Sequence, residues 1–200
     1  MTEQDIEMPC PMCSVEGQLK MLTHIDEIPY FGEHTQITVL CNACGWRQTD
    51  FLPADGKKPG ASTLVISKPE HMSVRVVRSS SCTVRVPDLD LEVKPGTAST
   101  GYVSNIEGVV NRFMDIIIMV TRQCYAEDAP MEDIKTLQEM HTTLLELKED
   151  PIPRAITLEF LDPHGHSQIL SPDAVQRDLK PEEYEELPVG PEPAVFSANS

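Results

Sequence analysis

From residue 63 onward, apolar side chains recur at every second position. Met72, Val74 and Val76 alternate with Ser73 and Arg75, Val84 and Val86 with Thr83 and Arg85, and Leu89, Leu91 and Val93 with Asp90, Glu92 and Lys94. That period puts one face of a strand on a core and the other in water, so 63–94 is predicted to be β structure with Arg75 and Arg85 solvated. The period changes at Ser104. Ile106, Val109, Val110, Phe113, Ile116, Ile117 and Val120 have the spacing of a helix face, and Ser104-Asn105-Ile106-Glu107 has the residue types of a capping box. Residues 123–129 interrupt this pattern. A second helix is predicted from about Met131 to Lys148, with Ile134, Leu137, Met140, Leu144 and Leu147 on one side. The short link implies an antiparallel helical hairpin over about 104–149, its first helix the more buried. After Pro151 and Pro153 the two-residue period returns at Ile156, Leu158 and Phe160. Asp162-Pro163-His164-Gly165 then supplies a tight turn before a returning strand at 167–170.

The first quarter of the chain follows a different plan. Residues 18–28 and 36–40 read as strands joined by turn material at Pro29-Tyr30-Phe31-Gly32. The predicted organisation is a ribbon over 1–52, a Pro/Gly-rich linker over 53–62, a β-rich unit over 63–180 and an acidic flexible tail over 181–200. The class is α+β. A hydrophobic content of 40% suffices for a core, and no internal repeat is visible.

Charge narrows the partners. The formal net charge is −16 and unevenly spread: −6 over 1–51, +3 over 57–112 and −12 from 113 onward. Such a balance argues against nonspecific nucleic-acid binding, while leaving a basic face on the middle segment (Lys57, Lys58, Arg75, Arg78, Arg85) as the rival functional reading. The longest apolar run, Ile116 to Val120, is five residues, far short of a membrane span. The acidic start of the chain lacks signal-peptide features. A cytoplasmic location is expected, where cysteine pairs bind metal more often than they form disulfides.

Two Cys-x-x-Cys pairs carry the chemistry. Cys10/Cys13 and Cys41/Cys44 are separated by 27 residues, enough for a hairpin that brings the two clamps together. Four thiolates suit one zinc ion and leave no position for a reactive water, so the expected site is structural and the protein non-enzymatic. Gly45, after the last cysteine, sits where such a turn tolerates a positive φ. Other readings of the cysteines fail. The His-x-Glu half of a zinc deaminase signature is missing, and no βαβ unit surrounds Cys10 as a thioredoxin-like pair requires. Cys82 and Cys124 read as small core residues. His24 and His34 could serve as ligands only if the four thiolates left room, and a second metal site at His164/His166 lacks visible partners. The sequence contains no phosphate-binding Gly-x-x-x-x-Gly-Lys loop and no Gly-x-Ser-x-Gly elbow.

These motifs, in this order, resemble the ZPR-one zinc-finger protein family. The similarity runs through Cys10-Pro-Met-Cys13, Cys41-Asn-Ala-Cys44-Gly45-Trp46-Arg47, Val86-Pro87-Asp88-Leu89-Asp90-Leu91-Glu92-Val93, Ser104-Asn105-Ile106-Glu107-Gly108 and Asp162-Pro163-His164-Gly165-His166-Ser167. Together these span residues 10 to about 170 and form one module, as in archaeal-type members. Departures from the family pattern fall at Asp50, where Glu is usual, at His166, in place of the turn asparagine, and at Ser104-Asn105, in place of two threonines. The resemblance implies that the β part is a double-stranded β-helix, jelly-roll-like, and that the protein binds translation elongation factor one-alpha and assists its folding. On that expectation Tyr30, Phe31 and Trp46 are candidate interface anchors. The alternative is that Trp46 and Phe51 pack under the zinc knuckles. The Pro- and Glu-rich tail is expected to keep the protein soluble, the alternative being competition for a basic surface.

Overall fold

Two ten-residue strands, β2 (Leu19–Ile28) and β3 (Gly32–Cys41), pair antiparallel along their whole length, from Leu19↔Cys41 to Ile28↔Gly32. This is the hairpin the cysteine spacing calls for, with the second strand starting earlier than expected. In this computed structural model, residues 2–28, 32–54 and 58–188 are described. Edge strands β1 (Thr2–Ile6) and β4 (Arg47–Pro53) complete a four-stranded sheet ordered β1-β2-β3-β4. Neither edge was visible as a pattern. β1 buries only Ile6, and β4 buries the adjacent Asp50 and Phe51, so both lack alternation. Pro53 closes β4, an edge position where its missing N–H costs no ladder bond.

The remaining strands are β5 (Gly60–Ile66), β6 (Arg75–Arg78), β7 (Thr83–Val86), β8 (Leu91–Val93), β9 (Tyr102–Asn105), β10 (Ile156–Asp162), β11 (Gln168–Ile169) and β12 (Val175–Asp178). They form a five-stranded sheet, β12-β5-β10-β7-β8, and a three-stranded one, β11-β6-β9. β5 starts inside the stretch read as a linker to residue 62. β10 shows the expected alternation, with Ile156, Leu158 and Phe160 each about 1% exposed. Two runs of apparent alternation are not continuous strands. Pro69–Ser73 and Pro87–Leu89 are single 3-10 turns, each opened by a proline whose fixed φ suits a first helical position.

Helix α1 (Ile106–Ala126) and helix α2 (Met131–Glu146) form the hairpin. α1 buries Ile106, Val109, Val110, Phe113, Met114 and Ile117 in the same core as Leu64, Ile66, Val84, Leu158 and Phe160, whereas α2 adds Leu144. Its cap lies one residue later than the capping-box reading placed it. Asn105 Oδ1 accepts the Gly108 N–H at 2.8 Å, and Ser104 remains in β9. α1 also continues unbroken through the expected interruption to Ala126.

The three-stranded sheet is covered on both faces, which fixes the ribbon on the β-rich unit. Val76 points into the main core. Val77, its neighbour on β6, joins Ile28, Phe51 and Leu170 in a separate apolar cluster at the junction, both valines being 0% exposed. Beside that cluster the buried Asp50 carboxylate accepts the N–H groups of Phe51 (2.9 Å) and Ser80 (3.0 Å) and the Ser80 hydroxyl. Gly101 closes the seam. A Cβ there would lie 3.0 Å from both Asp50 Oδ1 and Phe51 Cδ2, too close for a side chain to sit without displacing them. Its N–H donates to Thr49 O at 2.6 Å.

The predicted tail starts too early. Residues Pro181–Glu186 form helix α3, and Leu187, 5% exposed, packs with Ala61, Leu161 and Leu179. The Glu183 carboxylate accepts a bidentate pair of bonds from Arg177 (2.7 Å each) and the Lys180 N–H (2.9 Å). Residues 189–200 lie outside the described residues.

Candidate metal centre

The register Leu19↔Cys41 sets the two turns that carry the cysteines side by side at one end of the four-stranded sheet. Each turn closes in the same way. The Ser14 N–H donates to Cys10 O at 2.8 Å, and the Gly45 N–H donates to Cys41 O at 2.9 Å. Both closing residues are left-handed, Ser14 at φ 59° and Gly45 at φ 75°, so the positive φ expected at Gly45 is present. Cross-links tie the turns to the strands: Asn42 N–H to Gln18 O (2.9 Å) and Cys41 N–H to Trp46 O (2.8 Å).

The four sulfur atoms of Cys10, Cys13, Cys41 and Cys44 all lie within 4.8 Å of one another. Cys10–Cys44 and Cys13–Cys41 are separated by 3.8 Å. A tetrahedron with Zn–S bonds of about 2.3 Å has edges of about 3.8 Å, which these two pairs match, so the donor set suits a zinc ion. The Met12 N–H points at Cys10 Sγ, 3.4 Å away, the kind of donor that stabilises a thiolate. The thiols are also electrically inequivalent. Burial works to raise Cys10, but the N–H groups of Cys13 and Met12 and the neighbouring thiols outweigh it and bring it down to about 7. At Cys44 the Trp46 N–H works downward, yet burial and the other three thiols push it up to about 12. Cys13 is raised as well, its Val15 N–H overcome by burial and by Cys10 and Cys41. Four sulfurs this close cannot all ionise unaided, and a divalent cation supplies the charge that lets them.

Trp46 packs, partly buried, against the cluster of Ile6, Cys10, Leu19, Val39 and Cys41, which is the packing alternative to its surface reading. Phe51 is not under the knuckles but at the junction, where its ring also lies 5.8 Å from that of the buried His34. Tyr30, Phe31 and Lys57 lie outside the described residues. Neither His24 nor His34 belongs to the sulfur cluster. His164 and His166 approach each other, ring centroids 5.6 Å apart, but among the described residues the four cysteines are the one group placed to hold a metal. Cys82 is fully buried, and that burial pushes its thiol up to about 12, leaving a small inert core group. Cys124 is half-buried near the end of α1.

Among the described residues, the cations of the basic middle segment are divided between paired, buried and exposed positions. Arg85 is paired with Glu92, Lys68 with Asp173, and Arg78 is buried; Arg75 and Lys58 are exposed. Sequence reasoning also missed two buried carboxylates. Asp50 holds the junction. Asp162, 1% exposed, accepts the hydroxyls of Ser79 (2.8 Å), Ser81 (2.7 Å) and Ser167 (2.6 Å) and the His164 N–H (2.9 Å). The run Ser79-Ser80-Ser81 was the available signal, since three consecutive hydroxyls between strands suit buried acceptors.

Comparison with known proteins agrees with this architecture. Residues 4–58 match the ZPR1 zinc-finger domain, and residues 70–188 match the ZPR1 jelly-roll domain. A ZPR1-like protein of Pyrococcus horikoshii is 34% identical over 182 residues, covering 91% of this chain and 80% of its own length. One from Methanocaldococcus jannaschii is 35% identical over 183 residues, covering 92% and 89%. The protein named zinc finger chaperone zpr1 in Schizosaccharomyces pombe is 30% identical over 114 residues, 56% of this chain but 24% of the longer relative. The zinc-finger match and the sulfur geometry together describe four cysteines positioned to bind one structural zinc ion.

Proposed function

The chain belongs to the ZPR1 family, and on that premise we propose that it is a non-enzymatic, cytoplasmic zinc protein that binds translation elongation factor one-alpha and assists its folding. Cys10, Cys13, Cys41 and Cys44 are the four ligands of its one zinc ion. The metal organises the ribbon and takes no part in chemistry, because four protein ligands fill a tetrahedral shell.

The observation that carries the reading is on α1. Ile118 (37% exposed) and Tyr125 (53%) line an open groove between α1 and α2, and Met119 (61%) stands next to Ile118 on the exposed side of α1. Grouped exposed apolar groups mark surfaces that meet other proteins. A flexible thioether such as Met119 suits a surface that accommodates more than one arrangement of an incompletely folded partner. The chaperone name of the fission-yeast relative supports the same role. No helix among the described residues is long and apolar enough to cross a membrane, so this apolar character is not that of a span.

The test is co-elution of the zinc-loaded protein with its host's elongation factor one-alpha, with and without guanine nucleotide. A refolding assay of the denatured factor runs beside it. A complex and a raised yield of refolded factor are expected, both reduced in Ile118→Asp/Met119→Asp. Failure to form a complex with nucleotide-bound, nucleotide-free and refolding factor alike would overturn the proposal.

A further inference from the structure

Arg78 ends strand β6 with its side chain inside the protein, 7% exposed, yet no carboxylate among the described residues pairs with it. Its Nη1 donates to Ser99 Oγ and Thr100 O, both at 3.1 Å, and Nη2 to Cys82 O at 2.8 Å, while Nε has no partner among the described residues. Its direct partners are thus all neutral oxygens, and the buried carboxylate Asp162 acts on it only across Cys82.

Arg78 lines a cleft of about 410 Å³ between α1, the strands β7 and β8 and the 94–101 segment. The same cleft is lined by two further cations. Arg112, on α1, stacks its guanidinium carbon 4.1 Å from the centre of the Tyr102 ring, and Arg78 lies 5.6 Å from that centre. Lys94 pairs with Glu92 at 3.0 Å, but among the described residues Arg112 has no carboxylate partner. Asp115 also lines the cleft and is exposed. Ser99 and Thr100 add hydroxyls, and Val84, Val93, Val109, Phe113 and Ile116 form an apolar wall. In a chain of net charge −16, a cleft lined by two arginines and a lysine against one aspartate runs against the overall balance.

We propose that this cleft is a binding site for a small carboxylic acid carried on an apolar body. The exposed Arg112 guanidinium offers paired N–H donors matched to a carboxylate, and the aliphatic and aromatic wall receives the skeleton behind it. The volume falls within the usual range for small-molecule sites. Arg112, held by its stack on Tyr102, sits ready to meet the anion at the mouth, and Arg78 supplies the charge within. The proposal concerns a site separate from the zinc ribbon and independent of the partner proposed above.

The experiment is an amide NMR titration of the full zinc-loaded chain with hydrocinnamate, with hydrocinnamamide as its uncharged match and inorganic phosphate as an anion without an apolar body. Saturable shifts at Gly96, Thr100 and Arg112 are expected, with a dissociation constant of roughly millimolar size. The amide should bind about tenfold more weakly, and phosphate should not saturate. Arg112→Gln and Lys94→Gln alter exposed side chains, preserve the fold, and should each weaken hydrocinnamate binding several-fold. Arg78→Met tests the buried charge, and its shift dispersion reports separately whether it folds. No saturable shift up to about 10 mM hydrocinnamate, equal affinity for acid and amide, or unchanged affinity in Arg112→Gln would each overturn the proposal.

Discussion

Removing zinc should unfold one end of the ribbon and leave the β-rich unit standing. The buried aliphatic groups beside the cysteines are Ile6, Leu19 and Val39, with Met21 and Trp46 packed against them. Burying three such side chains contributes together about 5–9 kcal/mol. A structural zinc in a small module contributes about 10–16 kcal/mol of apparent binding free energy, more than all of them. The metal therefore decides whether the knuckles are ordered. Their far end is anchored differently, by Ile28 and Phe51 against Val77 and Leu170. The chain has a single tryptophan, Trp46, which packs on the cysteine cluster and so reports on the metal end alone. Upon extraction of the zinc by excess EDTA, Trp46 emission should move to longer wavelength while the far-UV helix signal of α1 and α2 persists. Amide exchange should accelerate from the Leu19–Cys41 end and fade toward Phe51. Cys41→Ser should behave as the chelated protein does. If elemental analysis confirms zinc loss and Trp46 emission does not move, the reasoning fails. It fails equally if the helix signal collapses together with Trp46, since that would make the two units one cooperative block.

The junction, the helix cap and the C-terminal helix each give a separate test. Phe51→Ala should cost about 3–5 kcal/mol in denaturant unfolding, because it leaves a cavity between two units whose polar links stay in place; a loss below about 1 kcal/mol would mean the seam collapses around it or bears little. Asn105→Ala should cost about 1 kcal/mol and Ser104→Ala less, and the reverse order would return the cap to Ser104. The pH test concerns Glu183, held down to about 2 chiefly by hydrogen bonds from Arg177, with the Lys180 N–H adding to the effect. A depressed carboxylate contributes stability that is complete above its ordinary range, near 4.5, and is lost as pH falls toward 2. Amide exchange in α3 should therefore speed up over that interval, and Glu183→Gln should remove that part of the acid response; an identical acid profile in the variant would sink the assignment.

What the sequence made legible was whatever depends on neighbours close along the chain. A Cys-x-x-Cys turn is a local object, and the long hairpin between two of them follows from their spacing. The helical hairpin announced itself through a 3.6-residue period, and β10 through strict alternation, because each has one face on a core and one in water. The elements that escaped notice violate that single-face condition. β6 buries Val76 and Val77 in succession because the ribbon covers its second face, a fact set by residues 28 and 51. β4 hides Asp50 and Phe51 side by side for the same reason. Helix α3 rests on one leucine within a Pro- and Glu-rich run, too little apolar signal to register as periodicity. Arg78 illustrates the consequence for function. On a strand with one wet face, the basic residue at that position belongs to a solvated basic surface. On a strand enclosed from both sides it becomes an interior charge, its hydrogen bonds go to neutral oxygens, and the question it raises changes from which polyanion it attracts to which small anion completes it.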